Sequence, residues 1–449
     1  MGLGYLLLAV KSEQDNYLVG NPQFTFFKAV YRKHTNFALD NVFVNFVGET
    51  ANNFGRKLYV DVPKNGDLVH RMYLSIDIES NEPISNIAPL AYSFIEYVEL
   101  FIGSQSIDKQ YGEWLHIWHD ALESRNKELS LSDLITTHSN STSNKIMIPL
   151  RFWFNNDIGL SLPLIALDNN EVRLEVKFNS LQTITTYSKN CNYLVSQDLQ
   201  IRKIQLLTEY IHLDTEERRL FSSNDHEYLI TQVQSSFRNP INLYLNDSDE
   251  NYQQINHKVD LRFNHAVKEL FWTIQDSHGL IHNNAGICDI KFYPQGVLNY
   301  NYWRNLTPGQ EQLIGASIVL NGKDLMEELP PLFYRSVQGY QYHNGYGINL
   351  IRDNSTGNNR PSALYRDLTK SSGFYSYSFA IKPLDSQPSG SLNFSKLENA
   401  QLKFRVYRDT NNFTKNGQDN INSKILNIYA VNYNVLKITS GIGALAFTN

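Results

Sequence analysis

Gly159-Leu160-Ser161-Leu162, running through Leu167-Asp168-Asn169 into Val172-Arg173-Leu174-Glu175-Val176, returns later in the chain as Gly390-Ser391-Leu392, Leu397-Glu398-Asn399 and Leu402-Lys403-Phe404-Arg405-Val406. Each copy ends in a run where apolar and charged residues alternate. A period of two places the apolar side chains on one face of a strand and the charges on the other. Other segments repeat in the same order. Val69 to Ile76 (VHRMYLSI) matches Val267 to Ile274 (VKELFWTI), and Val98 to Gly103 with Ile107-Asp108 matches Ser317 to Gly322 with Lys323-Asp324. Thr208-Glu209-Tyr210 finds Val431-Asn432-Tyr433. Pattern rather than identity is kept, and the reading is two similar modules in tandem.

A chain of 449 residues exceeds the size at which one core stops growing, which agrees with two domains. The aromatic share of 12%, with 27 Tyr and 24 Phe, leans toward β-structure. A net charge of −5 supplies no general basic field and argues against direct nucleic-acid binding by counterion release. Cys191 and Cys288 stand in different halves and in no metal-like cluster, so a reducing, intracellular site of folding is expected. The opening apolar run, Tyr5 to Val10, is far too short for a membrane span, and Leu6 stands where a myristoylation motif wants Ser or Thr. Neither a secretion signal nor a lipid anchor is expected.

Alternation recurs at Leu58-Val60-Val62, Met72-Leu74-Ile76-Ile78, Val259-Leu261-Phe263 and Tyr429-Val431-Tyr433-Val435, predicting half-buried strands. Helical spacing is confined to Trp114, Ile117, Trp118, Ala121 and Leu122, and to Asp214 through Phe221, where Asp214 and Glu217 have capping-box spacing. The second stretch falls between the two copies and reads as a connector. Polar tracts at 139–145, 246–256 and 349–372 predict surface loops. Two all-β modules with uneven loops suggest jelly-roll sandwiches, although strand count alone does not separate these from immunoglobulin-like ones.

Motifs that carry chemistry are weak. Gly441-Ile442-Gly443-Ala444-Leu445-Ala446 has dinucleotide-fingerprint spacing without the strand and helix that must flank it, and reads as a packed, flexible tail. Asp247 to Asn251 begins like a calcium loop, but Tyr252 and Lys258 occupy the positions that need Gly and Glu. His278 and His282 lie in a turn-like context, and His116 and His119, beside Trp114 and Trp118, read as packing or interface residues. A bicupin would need an H-x-H pair, which the chain lacks. No catalytic, cofactor-binding or metal-ligating residue is therefore assigned, and no cofactor is expected.

The segment DNYLVGNPQFTFFKAVYRKHTNFAL (Asp15 to Leu39) resembles the amino-terminal region of the major capsid proteins of nucleocytoplasmic large DNA viruses. So do GDLVHRMYL (Gly66 to Leu74), IDKQYGEWLHIW (Ile107 to Trp118), LPLIALDNNEV (Leu162 to Val172), YIHLDTEERRLF (Tyr210 to Phe221), SFAIKPLDSQPSGSLNFSKLENAQL (Ser378 to Leu402) and YAVNYNVLKITSGIGALAF (Tyr429 to Phe447). Ala266 stands where members often have Pro, and Phe24 where Ile is frequent, which bears on the branch of the family. The resemblance implies an all-β double jelly roll: two tandem eight-stranded antiparallel sandwiches with short helices and long surface loops. The expected division is an N-terminal arm at 1–24, a first jelly roll at 25–213, a helical connector at 214–225 and a second jelly roll at 226–449.

It further implies a non-enzymatic homotrimer whose six modules give a pseudo-hexagonal capsomer that tiles an icosahedral shell. Implied partners are neighbouring capsomers, minor capsid and penton proteins, and the inner viral membrane indirectly. The implied location is the outer capsid shell of a virion assembled in the host cytoplasm. Alternatives are a scaffold protein of the same fold on immature viral membranes, and a jelly-roll attachment or carbohydrate-binding protein. Sequons begin at Asn140, Asn246, Asn354, Asn393 and Asn412, and at Asn305 with Pro308 close behind. Asn140 and Asn354 are the expected exposed glycosylation sites, while Asn393, inside a family-like segment, is expected to serve structure. Leu6, Leu7 and Leu8 are expected to bury against a partner or the inner face of the capsomer, because leaving them in water is costly.

Overall fold

The computed structural model describes residues 12–80, 90–123, 125–135, 143–181, 199–242, 254–276, 313–344, 350–351, 365–366, 374–407 and 423–448. Met1–Phe37 forms one unit and Ala38–Asn449 another. In the first unit a short helix, Asn16–Val19, follows Asp15, whose carboxylate accepts from the Ser12 amide and hydroxyl. From Ala29 to Asn36 the backbone makes neither turn nor bend.

The first half of the chain supplies β1 (Phe37–Asn45), β2 (Lys57–Asp61), β3 (Leu68–Glu79), β4 (Ile95–Ile102), β5 (Gln105–Tyr111), β6 (Ser143–Pro149), β7 (Leu162–Pro163), β8 (Val172–Phe178) and β9 (Gln200–Leu213). The second half supplies β10 (His226–Asn242), β11 (Gln254–Asp260), β12 (Ala266–Asp276), β13 (Leu313–Leu320), β14 (Lys323–Asp324), β15 (Leu350–Ile351), β16 (Tyr365–Arg366), β17 (Phe374–Ser378), β18 (Leu392–Asn393), β19 (Ala400–Tyr407), β20 (Ser423–Thr439) and β21 (Ile442–Leu445). Three longer helices are α1 (Gly112–Leu122), α2 (Arg125–Ile135) and α3 (Thr215–Ser223).

One sheet of the first half runs β1-β9-β3-β6 and the other β2-β8-β4-β5; the second half gives β10-β20-β12-β17 and β11-β19-β13-β14. Setting aside β7 in the first half and β15, β16, β18 and β21 in the second, each half orders its eight strands as first-eighth-third-sixth and second-seventh-fourth-fifth. That is the jelly-roll winding, and the neighbours in β9-β3-β6, β2-β8-β4-β5, β10-β20-β12-β17 and β11-β19-β13-β14 pair antiparallel. The duplication extends to detail. β7 pairs with β3 and β18 with β12, and each is followed by a 3-10 turn, Leu164–Ala166 or Phe394–Lys396. The double jelly roll expected from the resemblance is the fold observed, with β15 and β16 as an additional hairpin in the second half.

Strand β8 alternates buried and half-buried without exception, so Val172, Leu174, Val176 and Phe178 enter the core while Arg173 and Lys177 reach acidic neighbours on the outer face. Val69, Leu74 and Leu174 belong to a first core; Val267, Trp272 and Phe404 belong to a second. Strand β20 departs from the half-buried expectation. Leu426 through Asn434 are buried without a break, because Leu426, Ile428 and Ala430 face the second core while Tyr429 and Val431 meet a third cluster built on α1. Helix α3 forms where the capping spacing predicts, with Asp214 accepting from the Glu217 amide at 2.8 Å. Gly441, at φ +80°, and Ser440, at φ +54°, close the β20–β21 hairpin, so the expected flexible tail is instead an ordered strand paired to β20.

Candidate functional site

The third cluster is the joint between the two sandwiches. Helix α1 leaves β5 of the first half and lays Trp114, Ile117 and Ala121 on Phe271, Phe374, Tyr429 and Val431 of the second-half sheet. Trp114 packs edge-on to Phe271 with ring centroids 5.4 Å apart. Beside it, Glu113 is buried in the first turn of α1, where the helix dipole favours an anion. Its carboxylate accepts from the Thr273 hydroxyl at 2.6 Å, the Asn427 amide at 2.7 Å and the Tyr429 hydroxyl at 2.7 Å. A helix of one sandwich is thus tied to two strands of the other, β12 and β20.

A second polar seam runs along β5 and β10. Asp108 accepts from the Val233 amide at 3.0 Å and from Gln110 Nε2 at 2.7 Å, while Gln232 Nε2 donates to the Ile107 carbonyl. Burial pushes the Asp108 carboxyl up to about 7, against the opposing pull of those donors. The β20–β21 hairpin completes the joint. Leu445 N donates to Gln105 Oε1 at 3.0 Å, Asn169 N to the Gly441 carbonyl at 3.0 Å, and Asn169 Nδ2 to the Ser440 carbonyl at 3.0 Å. Gly443 sits so close to the first sandwich that a Cβ there would meet Leu167 Cδ2 at 2.8 Å.

Buried polar pairs also lie beside the joint. Glu269 Oε1 and His343 Nε2, both almost wholly buried, are 2.9 Å apart, and His343 stacks on Phe271. The neighbouring Lys268 donates to the Pro383 carbonyl at 2.7 Å, and burial lowers its pKa. Such groups are expensive to bury unpaired and are held here by specific partners. A cleft of about 730 Å³ opens between the sandwiches, with Leu39, Ile158 and Leu229 among its apolar lining residues and Asp157, Glu209 and Asp385 among its carboxylates.

Asn393 is exposed and caps the 3-10 turn after β18, its Oδ1 accepting from Ser395 N at 3.0 Å. Asn140, Asn246, Asn305, Asn354 and Asn412 lie outside the described residues, as do Leu6, Leu7 and Leu8, the Asp247 loop, and His278 and His282. His116 packs on Tyr92, and His119 Nδ1 lies 3.1 Å from the Tyr92 hydroxyl. Among the described residues no cluster of three or more His, Cys, Asp or Glu is placed to hold a metal ion, and no helix is long and apolar enough to cross a membrane.

Sequence reasoning missed the joint itself. Its signals are present as polar residues set in strongly apolar runs: Glu113 before Trp114, and Asn427, Asn432 and Asn434 within a β-branched and aromatic stretch. Inside such runs a polar side chain must find a buried partner. The partners of Glu113 lie 160 to 316 residues away, and no local pattern discloses them.

Residues 25–214 match the family described as major capsid protein N-terminus, and residues 217–347 and 365–444 match the large eukaryotic DNA virus major capsid protein family. The major capsid protein of Pyramimonas orientalis virus is 32% identical over 459 residues, covering 100% of both chains. That of Paramecium bursaria Chlorella virus 1 is 31% identical over 477 residues, again covering 100% of both. Among solved structures, PBCV-1 VP54, fitted into a reconstruction of the virophage Sputnik, aligns with a TM-score of 0.74 at 28% identity, over 95% of this chain and 100% of that one. The Faustovirus major capsid protein aligns with a TM-score of 0.63 at 10% identity, over 96% and 94% of the chains, a likeness of fold alone.

Proposed function

Because the chain belongs to the major capsid proteins of large eukaryotic DNA viruses, we propose that three copies associate into one capsomer whose six like sandwiches give a near-hexagonal outline. The observation that supports this most directly is the pair of sandwiches with one strand order, joined by α1 and the β20–β21 hairpin. Two like bodies held at a fixed angle, repeated about a threefold axis, approximate sixfold symmetry, and such a unit tiles a hexagonal lattice. A loose joint would not hold that outline. The hydrogen-bonded carboxylate of Glu113 and the apolar cluster around Trp114 keep it stiff.

In this reading the protein is non-enzymatic, and its product is shape together with lateral contacts. The first jelly-roll region is 25–213, its sandwich starting at β1 (Phe37) after a lead-in that belongs to the separate Met1–Phe37 unit, and the second is 226–449, with 214–225 as connector and 1–24 as an arm whose Leu6, Leu7 and Leu8 bury against a neighbour or a minor capsid protein. Penton proteins join the shell at its vertices, the inner membrane is met indirectly, and assembly takes place in the host cytoplasm. Asn140 and Asn354 are the first sequons to test for glycans. Light scattering after size exclusion tests the capsomer. A species of about three times the 51.7 kDa chain mass is expected, and a stable monomer contradicts the proposal.

A further inference from the structure

Each sandwich carries a helix between its fifth and sixth strands: α1 between β5 and β6, and between β14 and β17 a helical run built from a π-turn, Phe333–Val337, and Gln338–Tyr342. Setting Leu115 against Tyr334 aligns the two, since each drops into the core of its own sandwich. Trp114, Ile117 and Ala121 then stand level with Phe333, Ser336 and Tyr340. The first three are covered by the second sandwich. Of the other three, Phe333 and Ser336 are half-exposed and Tyr340 is 77% exposed.

The platform beneath α1 has a twin as well. The match of β3 to β12 puts Tyr73 at the place of Phe271, and strand register puts Met147 at that of Phe374 and Leu207 at that of Tyr429. Phe271, Phe374 and Tyr429 are buried under α1, whereas Tyr73, Met147 and Leu207 are only half-buried. Residues just past each helix reach the platform of their own sandwich alike: His343 stacks on Phe271, and Leu122 and Lys127 share a cavity wall with Tyr73. The differences between the twins are paired. Glu113 stands level with Leu332, which is 55% exposed, and Tyr429, whose hydroxyl donates to Glu113 at 2.7 Å, stands level with Leu207. Carboxylate and donor have both become leucine, as a helix and a platform that meet each other require.

Resting on the proposed capsomer, we propose that Leu332, Phe333 and Tyr340 of one copy pack on Tyr73, Met147 and Leu207 of the next, repeating between copies the contact that α1 makes within one. The occupant is a second copy because the contact has a direction: the helix of one sandwich lies on the sheet of the following one. Were the step from the second sandwich to return to the first sandwich of the same chain, Tyr340 would be covered as Ala121 is; instead it stands open. A directional contact of this kind is heterologous and closes into a ring when its rotation divides the circle. Three chains supply six such steps, three within copies and three between them. Covering Leu332 and Tyr340 also removes large apolar side chains from water.

The test places a benzoyl-phenylalanine photocross-linker at Tyr340 in the full chain, co-expressed with a tagged copy that lacks the probe, and reads the trimers purified through the tag. Cross-links from position 340 to tagged-copy peptides carrying Tyr73, Met147 or Leu207 are expected. Cross-links confined to the probe-bearing chain, to other surfaces of the tagged copy, or absent from an intact trimer overturn the proposal. A second arm reads the paired exchange. Leu332→Glu sets a carboxylate against Leu207 and is expected to raise the trimer dissociation constant about tenfold. Adding Leu207→Tyr, which copies the pair of Glu113 and Tyr429, is expected to recover part of the loss. A trimer indifferent to Leu332→Glu, or a loss that Leu207→Tyr leaves whole, overturns the contact and leaves the capsomer standing; a wild-type monomer sinks both.

Discussion

Glu113 holds three donors from two strands of the other sandwich, and no local sequence rule assigns it that role. Truncating it to Ala leaves the hydroxyls of Thr273 and Tyr429 and the Asn427 amide without that acceptor in a dry site. The expected loss is about 3 kcal/mol, read as a lower unfolding midpoint in urea. Glu113→Gln, which keeps one acceptor oxygen, is expected to lose less. Asp108 makes the same seam sensitive to pH. Its folded pKa, about 7, is raised above the unfolded value, so the proton is bound more tightly in the folded state. The stabilising contribution is complete below the unfolded pKa near 4 and is lost as pH rises through about 7. Wild-type protein should therefore lose thermal stability relative to Asp108→Asn between pH 5 and pH 8. A difference in melting temperature that stays flat across that range contradicts the assignment.

At the scale of elements, legibility follows burial. Strand β8 exposes one face, so its period of two is written in alternating Val, Leu and charge, and the matching β19 reads the same way. Leu174 and Phe404 hold equivalent places in the two cores. Their replacement by Ala is expected to cost about 2–5 kcal/mol each, measured as separate losses in calorimetry. Strand β20 shows where the reading fell short. Its outer face is covered by α1, so Asn427, Tyr429 and Val431 are inside, and from Leu426 to Asn434 a pattern that predicted a half-wet strand describes a fully buried one. Helix α2 went unread because its residues carry little helical periodicity, and the hairpin β20–β21 because its glycines resemble a nucleotide fingerprint more than a turn. Gly443 tests the hairpin's role. Gly443→Leu pushes a side chain into Leu167 and Ile102, and faster tryptic cleavage after Arg219 in α3 is expected, with both cores still folded. Unchanged cleavage would mean that the hairpin does not hold the joint.

At the scale of the whole molecule, duplication and rigidity together make the architecture. Two like windings and one apolar-and-carboxylate joint are what the chain brings to the proposed threefold assembly of six like bodies. The family-like residues of Asp15 to Leu39 were legible from the first, but the cleft was not, because Leu39, Ile158, Leu229 and Asp385 come together only in the folded chain. The most direct measurement is cryo-electron microscopy of the purified soluble protein viewed down its symmetry axis. The account predicts a threefold particle with six sandwich-sized densities in a near-hexagonal ring. A twofold particle, or a lone pair of densities, would contradict it.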